Sequence, residues 1–239
     1  MRRISAPDVA EQGKLIFIRA LLDEKRHDEA EAELTRLLAS NSRSYRANLI
    51  MGRLMERKEE FGRAAAHFET ARTADPTRAE AALLAGKAYL ALKEIGKASE
   101  AFQVALDLNP KLAGAHFGLA QAYFFADELG RAESHVRRAL DFDPQLKPAR
   151  ALLALLYRRS GDFDSARKEL EEIVATRPDQ RRATLSLARI HLRQGEVHEA
   201  MALLHTALKF HEDDLEALTL LGRAKLAAED LEGAEESLR

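Results

Sequence analysis

Small and bulky apolar positions recur along this chain at one fixed interval. Ala30, Ala64, Ala98, Ala132, Ala166, Ala200 and Ala234 lie 34 residues apart without a slip. Four residues after each comes a bulky apolar side chain: Leu34, Phe68, Phe102, Val136, Leu170, Leu204 and Leu238. A small residue keeps the same register at Gly52, Gly86, Ala120, Ala154, Ala188 and Gly222. Three residues after each small position stands Met55, Tyr89, Tyr123, Tyr157, His191 or Lys225. Pro76, Pro110, Pro144 and Pro178 punctuate the pattern at the same period. Each period predicts two helices joined in a hairpin. Small residues let the two helices approach closely, the bulky residue fills the space between hairpins, and proline, which lacks an N–H and clashes with the preceding turn, ends the second helix. Tight turns are expected at Glu94-Ile95-Gly96-Lys97 and Gly161-Asp162-Phe163-Asp164, with Phe61, Ile95, Leu129, Phe163, Val197 and Leu231 tucked back onto the hairpin.

A small residue, an aromatic, an alanine, an aromatic and a proline in a 34-residue unit resemble the tetratricopeptide repeat family. The resemblance runs from about Glu11 to Arg239. It implies an all-α fold, a right-handed superhelical α-solenoid of tandem helix-turn-helix hairpins. The chain divides into an N-terminal extension, 1–10, and the units 11–44, 45–78, 79–112, 113–146, 147–180, 181–214 and 215–239. The first unit departs from the pattern with Ile18 at the small site and Ser42 for proline, and is expected to pack less tightly. Glu212 replaces proline in the sixth, so its second helix is expected to run into the next unit. The seventh stops inside its second helix, which predicts fraying there, pairing with another copy, or a longer natural chain.

Family resemblance also implies that the first helix of each hairpin lines an inner, concave face. One column of inward positions reads Leu15, Leu49, Leu83, Phe117, Ala151, Leu185, Thr219 and is mostly apolar. One turn on, Arg19, Arg53, Lys87, Gln121, Leu155, Arg189, Arg223 is mostly basic. A third column reads Leu22, Glu56, Leu90, Phe124, Arg158, Leu192, Leu226, and Phe125 adds another aromatic beside Phe124. The expectation is a groove with an apolar floor and basic edges that docks a protein or peptide carrying apolar anchors and acidic flanks. Leu15, Arg19, Leu49, Arg53, Leu83, Lys87, Leu90, Phe117, Gln121, Phe124, Phe125, Arg158 and Arg189 are the candidate binding residues; any single leucine among them also fits ordinary hairpin packing. The carboxylate clamp of chaperone-binding relatives is missing, since its lysine sites are Leu15, Leu49 and Leu83 and its asparagine sites Arg19, Arg53 and Lys87. So is the asparagine ladder of glycosyltransferase-linked solenoids, where Ile16, Ile50, Leu84, Gly118, Leu152, Ser186 and Leu220 stand.

Composition changes this picture little. Charged residues make up 32% and the formal net charge is -2, a poor match for a nucleic-acid partner. No cysteine is present, which excludes disulfides and thiolate metal sites. His191, His198, His205 and His211 lie seven or six residues apart, unlike a two-histidine metal motif, and His67 and His135 occupy equivalent second-helix sites. Gly96-Lys97-Ala98-Ser99 lacks the upstream glycine and preceding strand of a phosphate loop. No catalytic set and no cofactor are expected. Leu15-Ile16-Phe17-Ile18 is too short to span a bilayer, and Pro7, Asp8 and Glu11 follow the basic start where a signal would be apolar. A cytoplasmic scaffold is the simplest expectation, periplasmic if a leader preceded it. The alternatives are the substrate-positioning part of a larger enzyme such as a transferase, and an envelope, pilus or polysaccharide-secretion assembly factor.

Overall fold

A computed structural model describes the backbone of residues 6–238 and the side chains of 10–235 and 237. Among the described residues it is built of α-helices alone, and their contacts group into two compact units, Met1–Phe142 and Asp143–Arg239. In the first, α1 (Ala6–Asp23) pairs with α2 (His27–Ser40), α3 (Tyr45–Arg57) with α4 (Phe61–Ala74), α5 (Ala79–Ala91) with α6 (Ile95–Leu108), and α7 (Ala113–Phe125) with α8 (Leu129–Phe142). In the second, α9 (Lys147–Ser160) pairs with α10 (Phe163–Thr176), α11 (Arg181–Gln194) with α12 (Val197–Phe210), and α13 (Leu215–Ala227) with α14 (Leu231–Leu238). The boundary between the units falls at the end of α8, before the turn that leads to α9. Residues 6–10 extend α1, so the expected border at residue 11 is no break in secondary structure.

Each hairpin turns on one residue in the left-handed region. Lys25, Glu59, Lys93, Asp127, Gly161, Gly195 and Glu229 have φ between 60° and 83° and keep the 34-residue interval. This corrects the expected turn at 94–97. Ile95 already begins α6, and Gly96 lies inside it with open space around its Cα. At 161–164 the reading holds for Gly161, which caps α9 at φ 83°, while Asp162 caps α10 and accepts from the Ser165 N–H at 3.1 Å. The apolar residue that opens each second helix is half-buried from Phe61 to Val197, but Leu231 is 70% exposed.

Two chemistries separate one hairpin from the next. Where proline stands, the following first helix has no side-chain cap: Arg78, Leu112, Leu146 and Gln180 occupy that place. Where proline is missing, a polar N-cap takes over. Ser44 accepts from the Ala47 N–H at 3.1 Å and donates to Glu11 at 2.5 Å. Asp214 accepts from the N–H groups of Glu216 and Ala217 and takes a two-pronged bond from Arg181, at 2.5 and 2.7 Å. Glu11 and Arg181 hold the same register, 33 residues before their caps. The sixth unit's second helix therefore does not continue into the seventh. It stops at Phe210, and Asp214 restarts the chain as α13. Proline is not what sets the stopping point: α6 closes at Leu108, two residues before Pro110.

The helix contacts follow the columns. All seven alanines from Ala30 to Ala234 are buried. Phe102 is fully buried between two glycines: a Cβ on Gly86 would fall 2.7 Å from its ring, and one on Gly118 at 2.3 Å. Gly86 belongs to its own hairpin and Gly118 to the next, so one aromatic ring fills the joint between them. Gly52 accommodates Phe68 in the same way. The first unit packs less tightly, as expected: α1 and α2 approach each other closely at far fewer points than the helices of any later hairpin, even though Ile18, Ala30 and Leu34 are themselves fully buried. Leu238 falls outside the described side chains.

Candidate functional site

The first-helix columns separate into core and surface. Leu15 and Leu49 are 5% and 6% exposed and belong to the core, so these two expected anchors have almost no area to offer a partner. Leu83, Leu90, Phe117, Gln121 and Phe124 are half-buried, and Phe125 is 64% exposed. Phe124 and Phe125 meet edge to face, their ring centres 6.1 Å apart. All of these except Leu15 and Leu49 lie on α5 and α7, which touch each other directly. α7 contains no Asp, Glu, Lys or Arg. A helix that apolar is normally buried on every side, yet the face carrying Phe117, Phe124 and Phe125 is not. In the second unit, Arg158 is exposed and Arg189 half-buried.

The basic column is partly neutralised from within. Arg53 pairs with Glu80 at 2.6 Å, and Arg189 pairs with Glu216. Both acids stand 27 residues after their arginine, as the second residue of the following first helix. The residues 27 positions after Arg19 and Lys87 are Arg46 and Gly114, neither of them an acid. A recess of about 270 Å³ lies between α1 and α3, lined by Arg19, Leu22, Asp23, Ile50, Arg53, Leu54 and Arg57.

A further polar column was not anticipated from the sequence. Nineteen residues apart within a hairpin, Asn48 meets His67 at 2.9 Å, His116 meets His135 at 3.1 Å, and Arg150 meets Glu169 at 3.0 Å. The first member also reaches back six residues to a turn carbonyl: Asn48 to Ser42, His116 to Pro110, Arg150 to Pro144, and Thr184 to Pro178. These side chains tie α3, α7, α9 and α11 to the turns before them. Since Pro110 O accepts from His116 Nε2, neutral His116 presents an unprotonated Nδ1, and His135 Nδ1 is the donor between the rings. Burial pushes His116 below the usual histidine range and His135 down to about 4; the adjacent His116 and the Arg138 and Arg131 charges add to the effect on His135. The signal available beforehand was the shared register of His67 and His135.

Repeated hairpins, a fixed 34-residue column set and a side-chain or proline joint at every junction define a helical-repeat protein. The chain belongs to the tetratricopeptide repeat family: a family model described as "Tetratricopeptide repeat" matches residues 17–79 and 152–214, more than half of the chain, and one described as "TPR repeat" matches 86–124. Solved structures agree on the fold. The chain is 15% identical to Pseudomonas aeruginosa pilF, with a TM-score of 0.77 over 89% of this chain and 97% of that one. With a tetratricopeptide repeat protein from Parabacteroides merdae it shares 19% identity and a TM-score of 0.72, over 95% and 90%. A chain of the APC/C Cut9-Hcn1 hetero-tetramer is similar at 18% identity and a TM-score of 0.72; there the match covers 90% of this chain but only 42% of the other. No curated protein sequence matches significantly. Among the described residues no helix is long and apolar enough to cross a membrane.

Proposed function

We propose that this tetratricopeptide repeat chain is a non-catalytic scaffold that docks a protein or peptide partner on the first-helix face of α5 and α7. Repeat folds of this kind present extended surfaces whose role is to hold other chains. The observation that carries the reading is the uncharged helix α7, which leaves Phe125 64% exposed with Phe124 and Phe117 half-buried beside it. Aromatic area of this type is where interfaces concentrate their energy. Leu83 and Leu90 extend the apolar floor. Lys87 and Gln121 lie along it, with Arg19 and Arg53 on the preceding helices. Arg158 and Arg189 supply the corresponding positions in the second unit.

A photo-reactive phenylalanine analogue placed at position 125 tests this, with the same analogue at the exposed second-helix position Gln103 as the comparison. Irradiation in lysate of the source cell is expected to yield a discrete partner adduct from position 125, competed by excess unlabelled chain, and none from 103. Equal adducts from both, or adducts from 103 alone, move the docking surface to the second helices and overturn the reading.

A further inference from the structure

The recess between α1 and α3 departs from the pairing seen at Arg53 and Arg189. Arg53 and Arg189 each receive a carboxylate from the second residue of the following first helix, Glu80 and Glu216. For Arg19 that residue is Arg46, so the register supplies a like charge instead of a counter-ion. Arg57 comes from the last turn of α3, and Arg53 completes the rim. Among the described residues neither Arg19 nor Arg57 has an ion-pair partner, and Asp23 is the one acid lining the recess. The floor is different in kind: Leu54 is buried, while Leu22 and Ile50 are half-buried and still present apolar surface. Two unpaired guanidiniums over an apolar floor match a carboxylate that arrives next to an apolar side chain. Guanidinium suits this better than ammonium would, because its planar fork can take both carboxylate oxygens.

From this juxtaposition we propose that the α1–α3 recess is a carboxylate subsite, in which Arg19 and Arg57 bind an acidic side chain of a partner peptide while the peptide's neighbouring apolar residue packs on Leu22 and Ile50. The proposal rests on the docking reading above and adds the chemistry of one contact. It differs from a clamp for a chain terminus, since the lysine positions of such a clamp are leucines here. Arg53 is held by Glu80 and shapes the rim; Arg19 and Arg57 are the groups with charge to spare.

The test uses the full chain and a defined probe: an acetylated, amidated tetrapeptide with two central glutamates between leucines, alongside its glutamine counterpart and its free-acid form. Binding is followed by NMR of the arginine Nε–H and leucine and isoleucine methyl groups. The glutamate peptide is expected to shift Arg19, Arg57, Leu22 and Ile50 saturably. The glutamine peptide should bind at least about tenfold more weakly, the scale of one charge-assisted pair. Arg46→Glu gives Arg19 the counter-ion that the repeat supplies at Glu80. It should fold like the parent and weaken the glutamate peptide by a similar factor, as should Arg19→Gln with Arg57→Gln. Unchanged binding in both variants, equal binding of the glutamine peptide, a requirement for the free-acid terminus, or no saturable shift each overturns the subsite. Adduct formation from position 125 is a separate readout, so the subsite can fail while the docking face stands.

Discussion

His116 and His135 share one hydrogen bond inside the first unit, and their environment sets a pH dependence. Facing them are Tyr123 and Phe142, the Pro110 carbonyl, and the Arg131 and Arg138 charges. Both rings have folded pKa values below the usual histidine value, with His135 near 4. The unfolded chain therefore binds protons first as the pH drops. Stability contributed by the pair is complete above about 6.5, the unfolded value, and is lost as the pH falls from there through about 4. The preceding unit has Ala82 and Ala101 at the same two positions, both buried, so His116→Ala with His135→Ala restores a pair the repeat already uses. Its melting temperature should fall less between pH 7 and pH 4.5 than the parent's; an equal fall in both would show that the pair does not carry the effect. Chemistry at this scale was hardly legible beforehand. Two histidines in equivalent positions pointed to repeat structure, but His116 joins the pair from the first helix, 19 residues before His135. Nothing in the residue types announces that distance.

Turns and caps show what can be read at the scale of an element. The period, the alanine column and the prolines gave the helices and their pairing, because each is a strong steric requirement repeated many times. Glycine is the residue expected at a left-handed position, which points to Gly96 for the turn, whereas five of the seven left-handed positions hold Lys, Glu or Asp. Hairpin closure imposes that conformation on ordinary side chains. Two glycine substitutions should then have opposite signs. Gly161→Ala forces alanine into the left-handed region and should cost about 1 kcal/mol. Gly96→Ala adds a helix former in open space and should gain a few tenths to ~1 kcal/mol. Urea midpoints read both, and a loss at Gly96 would restore the turn to 94–97. The second non-proline junction offers a sharper test. Asp214→Ala removes a cap and both prongs of the Arg181 bond, and should cost at least about 1 kcal/mol. Arg181 holds the Asp214 carboxyl below the usual range, so its contribution is present above about 3.9, the unfolded value, and disappears as the pH falls through the lower folded value. The difference between parent and variant should therefore shrink in acid. A constant difference down to pH 2 would mean that the cap, not the charge, is the whole effect.

Across the whole molecule the family was legible from the spacing of small and bulky residues, while the burial of each column position was not. Leu15, Leu49, Leu83 and Phe117 occupy one column, yet the first two are core and the others keep surface. Column position alone does not separate packing from display. Burial does, and it removes Leu15 and Leu49 from the expected anchors while leaving surface on Phe117, Phe124 and Phe125 of α7. Charge sorts in the same way. Arg53 already has Glu80 as a counter-ion, so Arg53→Glu would set two carboxylates side by side and confuse binding with folding. Lys87 is the better probe, because Gly114 stands where its acid would be and the side chain is exposed. With the partner captured from position 125, Phe124→Ala is expected to weaken the complex by at least ~2 kcal/mol, the mark of a desolvated hot spot. Lys87→Glu should chiefly slow association, and the difference from the parent should fade between 50 and 500 mM salt, because an exposed charge steers encounter and is screened. Titration and stopped-flow measurements at the two salt concentrations separate these effects. If Phe124→Ala and Lys87→Glu both match the parent at both, the partner does not meet the α5–α7 face, and the exposed aromatic surface on α7 has some other cause.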